Sequence, residues 1–415
     1  MSPEPMSQLI LNVVKTYCRP EVVGDLMKGI RRSEALDRSL HRGKGFPTAG
    51  QRGRALSLSD QEKLDRLITV CNSRLSVDDL CEVLLGIGDI FKAHGETGRA
   101  EEMYTLALSK GEESGKRGYV AEAYMRRGEV YSRRAQWKQS NLDLGRSRAI
   151  FTELKLHDAL GRVENILGTN HAEQGQLAQA AGFFERALVL FERTQQTQMA
   201  GVALMNLGII RTIAGDPDSA LVRYKRAQAC FEEVGNLHRL AELHHNMGMS
   251  YLAKNLLKEA SGEFTASYSL SLSTQSVPLM GLAELARAYV SIRQHDLPVA
   301  LKQVNHAIDL FTKSNDRLGL ADAYKVKGMI HRELKSLDAA ASFLETSLRI
   351  NSELNNHLNI AETCFEIGLL ELKRNRRSDA LQAFLRAKAA FKRVGAHEDL
   401  KKTQAQINVL QGEAE

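Results

Sequence analysis

The residues best suited to chemistry in this sequence do not form a catalytic motif. Gly111, Gly115 and Lys116 resemble part of a phosphate-binding loop, but the glycines are one residue too close and no Ser or Thr follows the lysine. His244 and His245 are adjacent, so on a helix they point about 100° apart and cannot chelate one ion together. No HExxH, no GxSxG and no Cys/His set with zinc spacing occurs. We therefore expect no enzymatic activity, no cofactor and no metal.

Composition limits the classes of protein that this chain can be. Its 415 residues are 43% hydrophobic and 26% charged, and no run of about 18 uncharged apolar residues is present. Five cysteines form no CxxC pair and are too few for a disulfide framework, which favours a reducing compartment. Because the N-terminus also lacks a signal-peptide pattern, we predict a cytoplasmic protein without membrane insertion.

Positive charge is concentrated near the N-terminus. The net charge is +6, and the segment from Lys28 to Arg54 contains eight basic and two acidic residues. Such a segment could attract phosphates, so binding of nucleic acid or of an acidic surface through residues 28–54 is one functional alternative. A solvated basic linker explains the same composition, and we favour it over nucleic acid as the partner.

An internal repeat with a period of about 40 residues organises most of the chain. Small residues recur at one register without insertion or deletion: Gly88, Gly128, Gly168, Gly208, Gly248, Ala288, Gly328 and Gly368. Another small residue follows each of them after twelve positions, and a large apolar residue follows after sixteen: Tyr104, Leu144, Phe184, Tyr224, Phe264, Val304, Leu344 and Phe384. A third small residue comes three positions later. Offsets of four and three place these side chains on one helical face, so each unit is predicted to be a pair of helices.

Glycine and proline have defined roles in this prediction. A glycine within a helix costs about 1 kcal/mol relative to alanine, so we expect the recurring glycines to permit close approach of the partner helix. Pro217 and Pro298 should open second helices and Pro278 a first helix, where the missing N–H costs nothing.

The size pattern resembles the tetratricopeptide repeat, with a small residue at place 8 of the unit, Ala at 20, an aromatic residue at 24 and Ala at 27. The resemblance covers eight units over residues 81–400. The unit is longer than the roughly 34 residues usual in the family, and it lacks the family's proline near the end of the second helix. Both departures are similar to the long-helix repeats of kinesin light chains, spindle-orientation adaptors and bacterial peptide-sensing regulators. The resemblance implies an all-α, right-handed superhelical solenoid of eight helix-turn-helix repeats.

The segments outside the repeats complete the predicted domain organisation. Residues 1–41 are predicted to form a helical extension and residues 42–58 a basic, Gly-rich linker. Residues 59–80 fit a lone second-type helix and a turn. A capping helix should begin near residue 397, with the remainder of that helix and the tail in residues 401–415, because the last unit of a solenoid needs a polar outer face.

In the family that this chain resembles, the first helices of the units line a concave binding face. The implied groove is apolar and contains methionine in the fourth to sixth units, with charges on both flanks. The implied groove residues are Val202, Met205, Asn206, Ile209, His245, Asn246, Met249, Leu252, Leu285, Tyr289 and Ile292. The implied flanking charges are Arg126, Glu129, Arg133, Lys325 and Arg332.

Asn206 and Asn246 occupy the sixth place of their units, where peptide-gripping members of the family also use Asn. An amide side chain offers both a donor and an acceptor to a peptide backbone. Bonds to neighbouring helices or to water explain the same residues equally well.

These observations favour a protein- or peptide-binding adaptor or scaffold whose partner presents apolar anchors. One alternative is a peptide-switched regulator, in which binding in the groove repositions the N-terminal segment. A groove covered by that same segment is a further alternative.

Overall fold

The computed structural model describes residues 65, 68, 69, 72, 75–394 and 396–412. The predicted N-terminal extension, the basic linker and most of the half-repeat at 59–80 lie outside these residues. The same holds for the alternative that assigns binding to residues 28–54.

The described part is built from α-helices, and it contains no β-strand. In chain order the helices are α1 (Val77–Ala93), α2 (Thr97–Glu113), α3 (Arg117–Arg133), α4 (Trp137–Glu153), α5 (His157–Glu173), α6 (Leu177–Arg193), α7 (Thr197–Ile213), α8 (Pro217–Glu233), α9 (Leu237–Ala253), α10 (Leu257–Ser273), α11 (Val277–Arg293), α12 (Leu297–Ser314), α13 (Arg317–Glu333), α14 (Leu337–Glu353), α15 (His357–Lys373), α16 (Arg377–Val394) and α17 (His397–Gln411). The all-α repeat architecture predicted from the sequence is confirmed. None of these helices is long and apolar enough to cross a membrane.

The helices start at a constant spacing along the chain, because each turn has the same construction. At the end of α9 the N–H of Leu256 donates to the carbonyl of Tyr251 at 2.9 Å, and the N–H of Asn255 donates to that of Leu252 at 3.0 Å. These two bonds form a Schellman motif, which needs a residue with left-handed backbone conformation just after the helix end. Left-handed residues accordingly recur at the same spacing from Gly95 to Asn375.

The helix starts are also specified locally. Asp216 caps α8 by accepting a hydrogen bond from the N–H of Ser219 at 3.1 Å. Pro217, Pro278 and Pro298 occupy the first turns of α8, α11 and α12, as predicted. Capping and proline placement therefore reinforce the register that the turns establish.

In seven of the eight pairs, the core depends on contact between a glycine and a large side chain. A Cβ added to Gly208 would lie 2.3 Å from the Tyr224 ring, and one added to Gly248 would lie 2.5 Å from the Phe264 ring. No real Cβ atom approaches that closely, so only glycine fits at the observed helix separation. The predicted reason for the recurring glycines is thus the observed one.

A second contact of this kind lies at the other end of three of the pairs and was not predicted. Gly201 and Gly281 leave room for the rings of Phe231 and Phe311. A Cβ added at these two glycines would lie 2.7 Å and 2.6 Å, respectively, from those rings. Phe191, Phe231 and Phe311 share one register of their second helices, seven positions after the large apolar residue. Small residues at the start of most units, such as Ala121 and Ala241, were the available signal.

The described residues divide into two compact units. The first contains residues up to Glu173 together with Gly182–Thr194, and the second contains Gln174–Ala181 and the residues from Gln195 onwards. Within each unit, neighbouring first helices contact one another, whereas no pair of second helices makes a comparable contact. The first helices therefore lie on the inner side of the stack in each unit.

The helical pairs begin slightly before the starts assigned in the sequence. The first pair runs from Val77 to Glu113, and the eighth ends at Val394. Helix α17 follows and packs Ile407 against Phe384 of the eighth pair. The two starts differ because place 1 of a repeat, as the family numbers it, lies inside the first helix and not at its first residue.

Candidate binding face

A continuous series of apolar side chains lies on the first helices of the second unit. We define the apolar row as the residues at the ninth place of each repeat, with the first repeat counted from residue 81. It consists of Ile209, Met249, Tyr289, Met329, Leu369 and, on α17, Val409. In the first unit the same place holds the polar residues Asp89, Glu129 and Thr169. The change from polar to apolar at one register position distinguishes the two units chemically.

The apolar row reaches the protein surface. Met249 is 43% exposed and Val409 is 68% exposed, and the other four members are half-buried. Exposed apolar side chains in one series are a feature of interaction sites, whereas isolated ones are normal. Of the row, the sequence predicted Ile209, Met249 and Tyr289 only. The same register continued through the last two repeats and α17 would have found the rest.

A cavity of about 240 Å³ adjoins the C-terminal half of the row. It is lined by Tyr289, Lys325, Met329, Glu362, Phe365, Glu366, Phe391, Asp399 and Lys402. These residues come from α11, α13, α15, α16 and α17, so first helices of three successive pairs and the last helix meet there. The sequence analysis missed this cavity, because its walls join segments that are distant along the chain.

Buried ion pairs form one side of this cavity. The ammonium of Lys325, which is 5% exposed, pairs with the carboxylates of Glu362 and, at 3.3 Å, Asp322. Burial alone would lower the pKa of Lys325, but Tyr289, Glu362 and Asp322 outweigh it and raise that pKa. Burial raises the pKa of the Tyr289 hydroxyl to about 12. Lys325 is therefore charged and Tyr289 neutral at physiological pH.

The residues predicted as flanking charges are paired within the protein. Arg126 contacts Asp89 and, at 3.3 Å, Glu122. Glu129 contacts Lys92 at 2.8 Å and Arg133 at 3.0 Å. Arg332, like Lys325, pairs with two carboxylates, in this case those of Glu366 and Glu333. Arg126, Glu129, Lys325 and Arg332 therefore join neighbouring first helices, whereas Arg133 pairs with Glu129 on its own helix.

The predicted central residues divide into buried and accessible ones. Val202, Met205 and Leu285 are buried, and Leu285 packs into the core around Phe311. Leu252 and Ile292 are half-buried beside the row. We carry only the accessible residues into the functional proposal, because a buried side chain cannot contact a partner without repacking.

His245 and the two asparagines occupy the centre of the face. The His245 ring packs against Phe264 at 5.6 Å, and its Nδ1 is buried without a hydrogen-bond partner in the described chain. Burial lowers its pKa to about 4, so the ring is neutral. Asn246 is half-buried, and Asn206 has an interaction within the protein. A contact of either amide with a peptide stays a prediction.

The described residues contain no group of three or more His, Cys, Asp or Glu side chains that could hold an ion. His244 forms a pair with Glu263, with 2.6 Å between Nδ1 and Oε2. Cys81 and Cys364 are buried free thiols.

Comparison with known proteins identifies the fold. The tetratricopeptide repeat family profile matches residues 321–354. Comparison with curated proteins found no match. The chain is similar in structure to the apo form of the quorum sensor NprR from B. thuringiensis, with 14% identity and a TM-score of 0.61, over 89% of this chain and 99% of that one.

Two Rap proteins are similar to the same extent. The apo form of RapI shares 13% identity with a TM-score of 0.59, over 91% of this chain and 98% of RapI. The Rap conjugation gene regulator of plasmid pLS20, solved in complex with a Phr peptide, shares 15% identity with a TM-score of 0.58, over 92% and 98% of the two chains. The chain therefore has the fold of a tetratricopeptide-repeat solenoid.

Proposed function

We propose that this protein is a peptide-binding scaffold that holds an extended segment of its partner along the apolar row. The observation that carries the proposal is the unbroken change from polar to apolar residues at one register position in the second unit. Adjacent first helices lie on the order of 10 Å apart, and an extended peptide rises about 3.3 Å per residue. Every third residue of the partner would therefore meet one member of the row.

The structural relatives support a peptide as the partner. One of the Rap proteins was solved with a Phr peptide, and NprR is described as a quorum sensor. Their identity to this chain is low, so they support the class of ligand and leave its sequence open. The accessible members of the predicted site, Ile209, Met249, Leu252, Tyr289 and Ile292, are the contacts that we propose for the apolar anchors.

A charge introduced into the row tests this function. We expect Met249→Glu to weaken binding of a selected peptide at least about tenfold, because an apolar anchor would then face a carboxylate. Peptides can be selected from a random library displayed on beads, and their affinities measured by fluorescence anisotropy. Val222→Glu on α8 is the matched control, since Val222 is 62% exposed on a second helix outside the row. Equal affinities for Met249→Glu and the unmodified protein would refute the proposal.

A second candidate is a peptide-switched regulator. Among the relatives named above, NprR is described as a quorum sensor and the pLS20 Rap protein as a gene regulator, and RapI shares the Rap name with the latter. It predicts a change in the dimensions of the protein on addition of peptide, measurable by small-angle scattering. An adaptor would bind with unchanged dimensions. A cytoplasmic location fits both candidates and stays a prediction from the sequence.

A further inference from the structure

The cavity beside the apolar row has an excess of negative charge. Its lining contains three carboxylates, those of Glu362, Glu366 and Asp399, against the two ammonium groups of Lys325 and Lys402. The next residues outward, Asp322 and Arg332, cancel one another. A bound group with one positive charge would therefore neutralise the site.

The groups that face the cavity have unused capacity to accept hydrogen bonds. Lys325 contacts one oxygen of Glu362, and Arg332 contacts one oxygen of Glu366. The Tyr289 hydroxyl makes no hydrogen bond to any residue that the structure describes. Acceptors on α11 and α15 thus line the same space. An apolar group alone would leave them dehydrated and unpaired, which is unfavourable.

The remaining wall is apolar and aromatic. Met329, Phe365 and Phe391 supply it, and Phe365 is itself held by a tilted contact with Phe384 at 5.4 Å between ring centroids. Aromatic faces attract cations and pack against methylene groups. At about 240 Å³ the space is smaller than the roughly 300–1,000 Å³ of sites that hold whole drug-sized ligands. It suits a single side chain or a small amine.

We propose that this cavity binds an alkylammonium group, either the side chain of a lysine in the partner peptide or a free primary amine. The ammonium donates to Tyr289, Glu362 and Glu366, and its methylene stem packs against Met329 and Phe365. An ammonium fits better than a guanidinium, because its three donors point in separate directions whereas arginine needs paired acceptors in one plane. The peptide form of the inference rests on the function proposed above.

Lys402 regulates access in this arrangement. It is 68% exposed at the cavity and lies 3.4 Å from Asp399, so its ammonium already offsets part of the negative charge that an external ammonium would neutralise. Its replacement by methionine keeps a chain of similar length and removes the charge. Lys402→Met should therefore tighten binding of an external ammonium.

The first experiment uses small probes with the full-length protein. Affinities of pentylammonium, 1-pentanol and butylguanidinium are measured by ligand-observed NMR titration. We expect pentylammonium to bind at least about fivefold more tightly than the other two. Tyr289→Phe and Phe365→Leu should each weaken it by about fivefold, and Lys402→Met should strengthen it. Tyr251→Phe on α9 makes the same change outside the cavity and should have no effect.

Thermal melting of each variant separates loss of binding from loss of folding, and Tyr289→Phe removes no hydrogen bond of the described chain. Equal affinities for pentylammonium and 1-pentanol would overturn the inference. So would pentylammonium binding that is insensitive to both Tyr289→Phe and Lys402→Met in folded protein.

The second experiment distinguishes the two sources of the amine. Selected peptides that contain lysine are compared with the same peptides carrying Nε-acetyl-lysine. A loss of affinity on acetylation assigns the cavity to a peptide lysine, and unchanged affinity with intact pentylammonium binding assigns it to a free amine. If pentylammonium binds while no library peptide does, the peptide function fails and the ammonium site stands.

Discussion

At the scale of single residues, the left-handed turn positions show how much the fold tolerates. Many of them are occupied by residues other than glycine, including Ala135 and Lys155. A left-handed conformation costs an L-residue about 1 kcal/mol or more, whereas the cost for glycine is small. The regular spacing of helices is therefore maintained against a repeated local strain.

This strain can be measured with two opposite substitutions. We expect Lys155→Gly to raise the free energy of unfolding by about 0.5–1 kcal/mol and Gly115→Ala to lower it by a similar amount. Both positions are exposed, and a Cβ at Gly115 would meet no atom within 4 Å, so packing does not contribute. Urea denaturation followed by circular dichroism gives both values. A shift of the two variants in the same direction would contradict the backbone explanation.

His245 gives the protein a defined response to acid. Its pKa is lowered to about 4 by burial, compared with about 6.5 in an unfolded chain. The unfolded state then binds the proton first, so this residue contributes a loss of stability as the pH falls from about 6.5 to 4. The loss should reach about 2 kcal/mol at pH 4.5.

Leucine at this position provides the comparison, because Leu85 and Leu285 hold the same place in other repeats. The difference in free energy of unfolding between the protein and its His245→Leu variant, measured by urea denaturation, should change by about 2 kcal/mol between pH 7 and pH 4.5. A constant difference over this range would show that the histidine has the same pKa in the folded and unfolded states, as a solvated side chain would.

At the scale of helices, size complementarity connects the two members of each pair. Gly208 faces Tyr224, whereas the sixth pair has Ala288 opposite Val304, the smallest of the large residues in the series. The methyl group of Ala288 is thus accommodated because the side chain that faces it, Val304, is smaller. The two positions have changed together within one chain.

A double-mutant cycle tests this coupling. Gly208→Ala should destabilise by about 1–3 kcal/mol through overpacking, despite the better helix propensity of alanine. Tyr224→Val alone should destabilise by creating a cavity, and the double variant should be more stable than the sum of the single effects predicts. Gly262→Ala is the control, because its Cβ would meet open space and it should gain up to about 1 kcal/mol. Additive effects at positions 208 and 224 would exclude direct contact.

The fold could be predicted from the sequence because the core pattern repeats without interruption. Each small residue and its large partner are separated by the same number of positions in all eight repeats, so the pattern can be tested eight times. The charged contacts offered no such test. Lys325 and Glu362 are distant in the sequence and meet only because successive first helices pack together. Lys325 was therefore predicted to flank the groove, and in the structure it is buried.

The candidate site was only partly predictable for the same reason. Whether a side chain on a first helix faces solvent or the next first helix depends on the angle between the helices, which spacing in the sequence does not give. Met249 was predicted in the groove and is exposed, whereas Met205, one repeat earlier at a different place, is buried. The cavity at Tyr289 needed coordinates, since it joins several separate segments of the chain.

At the scale of the whole molecule, stability should be distributed along the stack and not held in one centre. Helix α17 is the last helix of the described residues, with Asn408 at the place where earlier repeats have Gly or Ala. An asparagine side chain prevents a further second helix from approaching closely. Ile407 and Leu410 cover the eighth pair at Phe384.

Removal of α17 should therefore act locally. A chain that ends at Val394 should show faster amide hydrogen exchange in α15 and α16, because Phe384 becomes exposed, while exchange in α1 to α4 stays unchanged. Mass spectrometry of peptic fragments resolves these regions. Val409→Ser, a change at an exposed position of α17, should leave all rates unaltered. Faster exchange throughout the chain would mean that the stack unfolds as a single cooperative unit.

The constant distance between successive turns also limits how the length of such a protein can change during evolution. Loss or duplication of one complete helical pair keeps every helix in its role, whereas loss or gain of a single helix would present second-type surfaces where first-type surfaces are required. Gene rearrangement in steps of one complete pair is thus tolerated at any point in the stack. Each added pair would lengthen the binding face by one further contact, so the reach of the protein along its ligand could be adjusted without redesign of its interior.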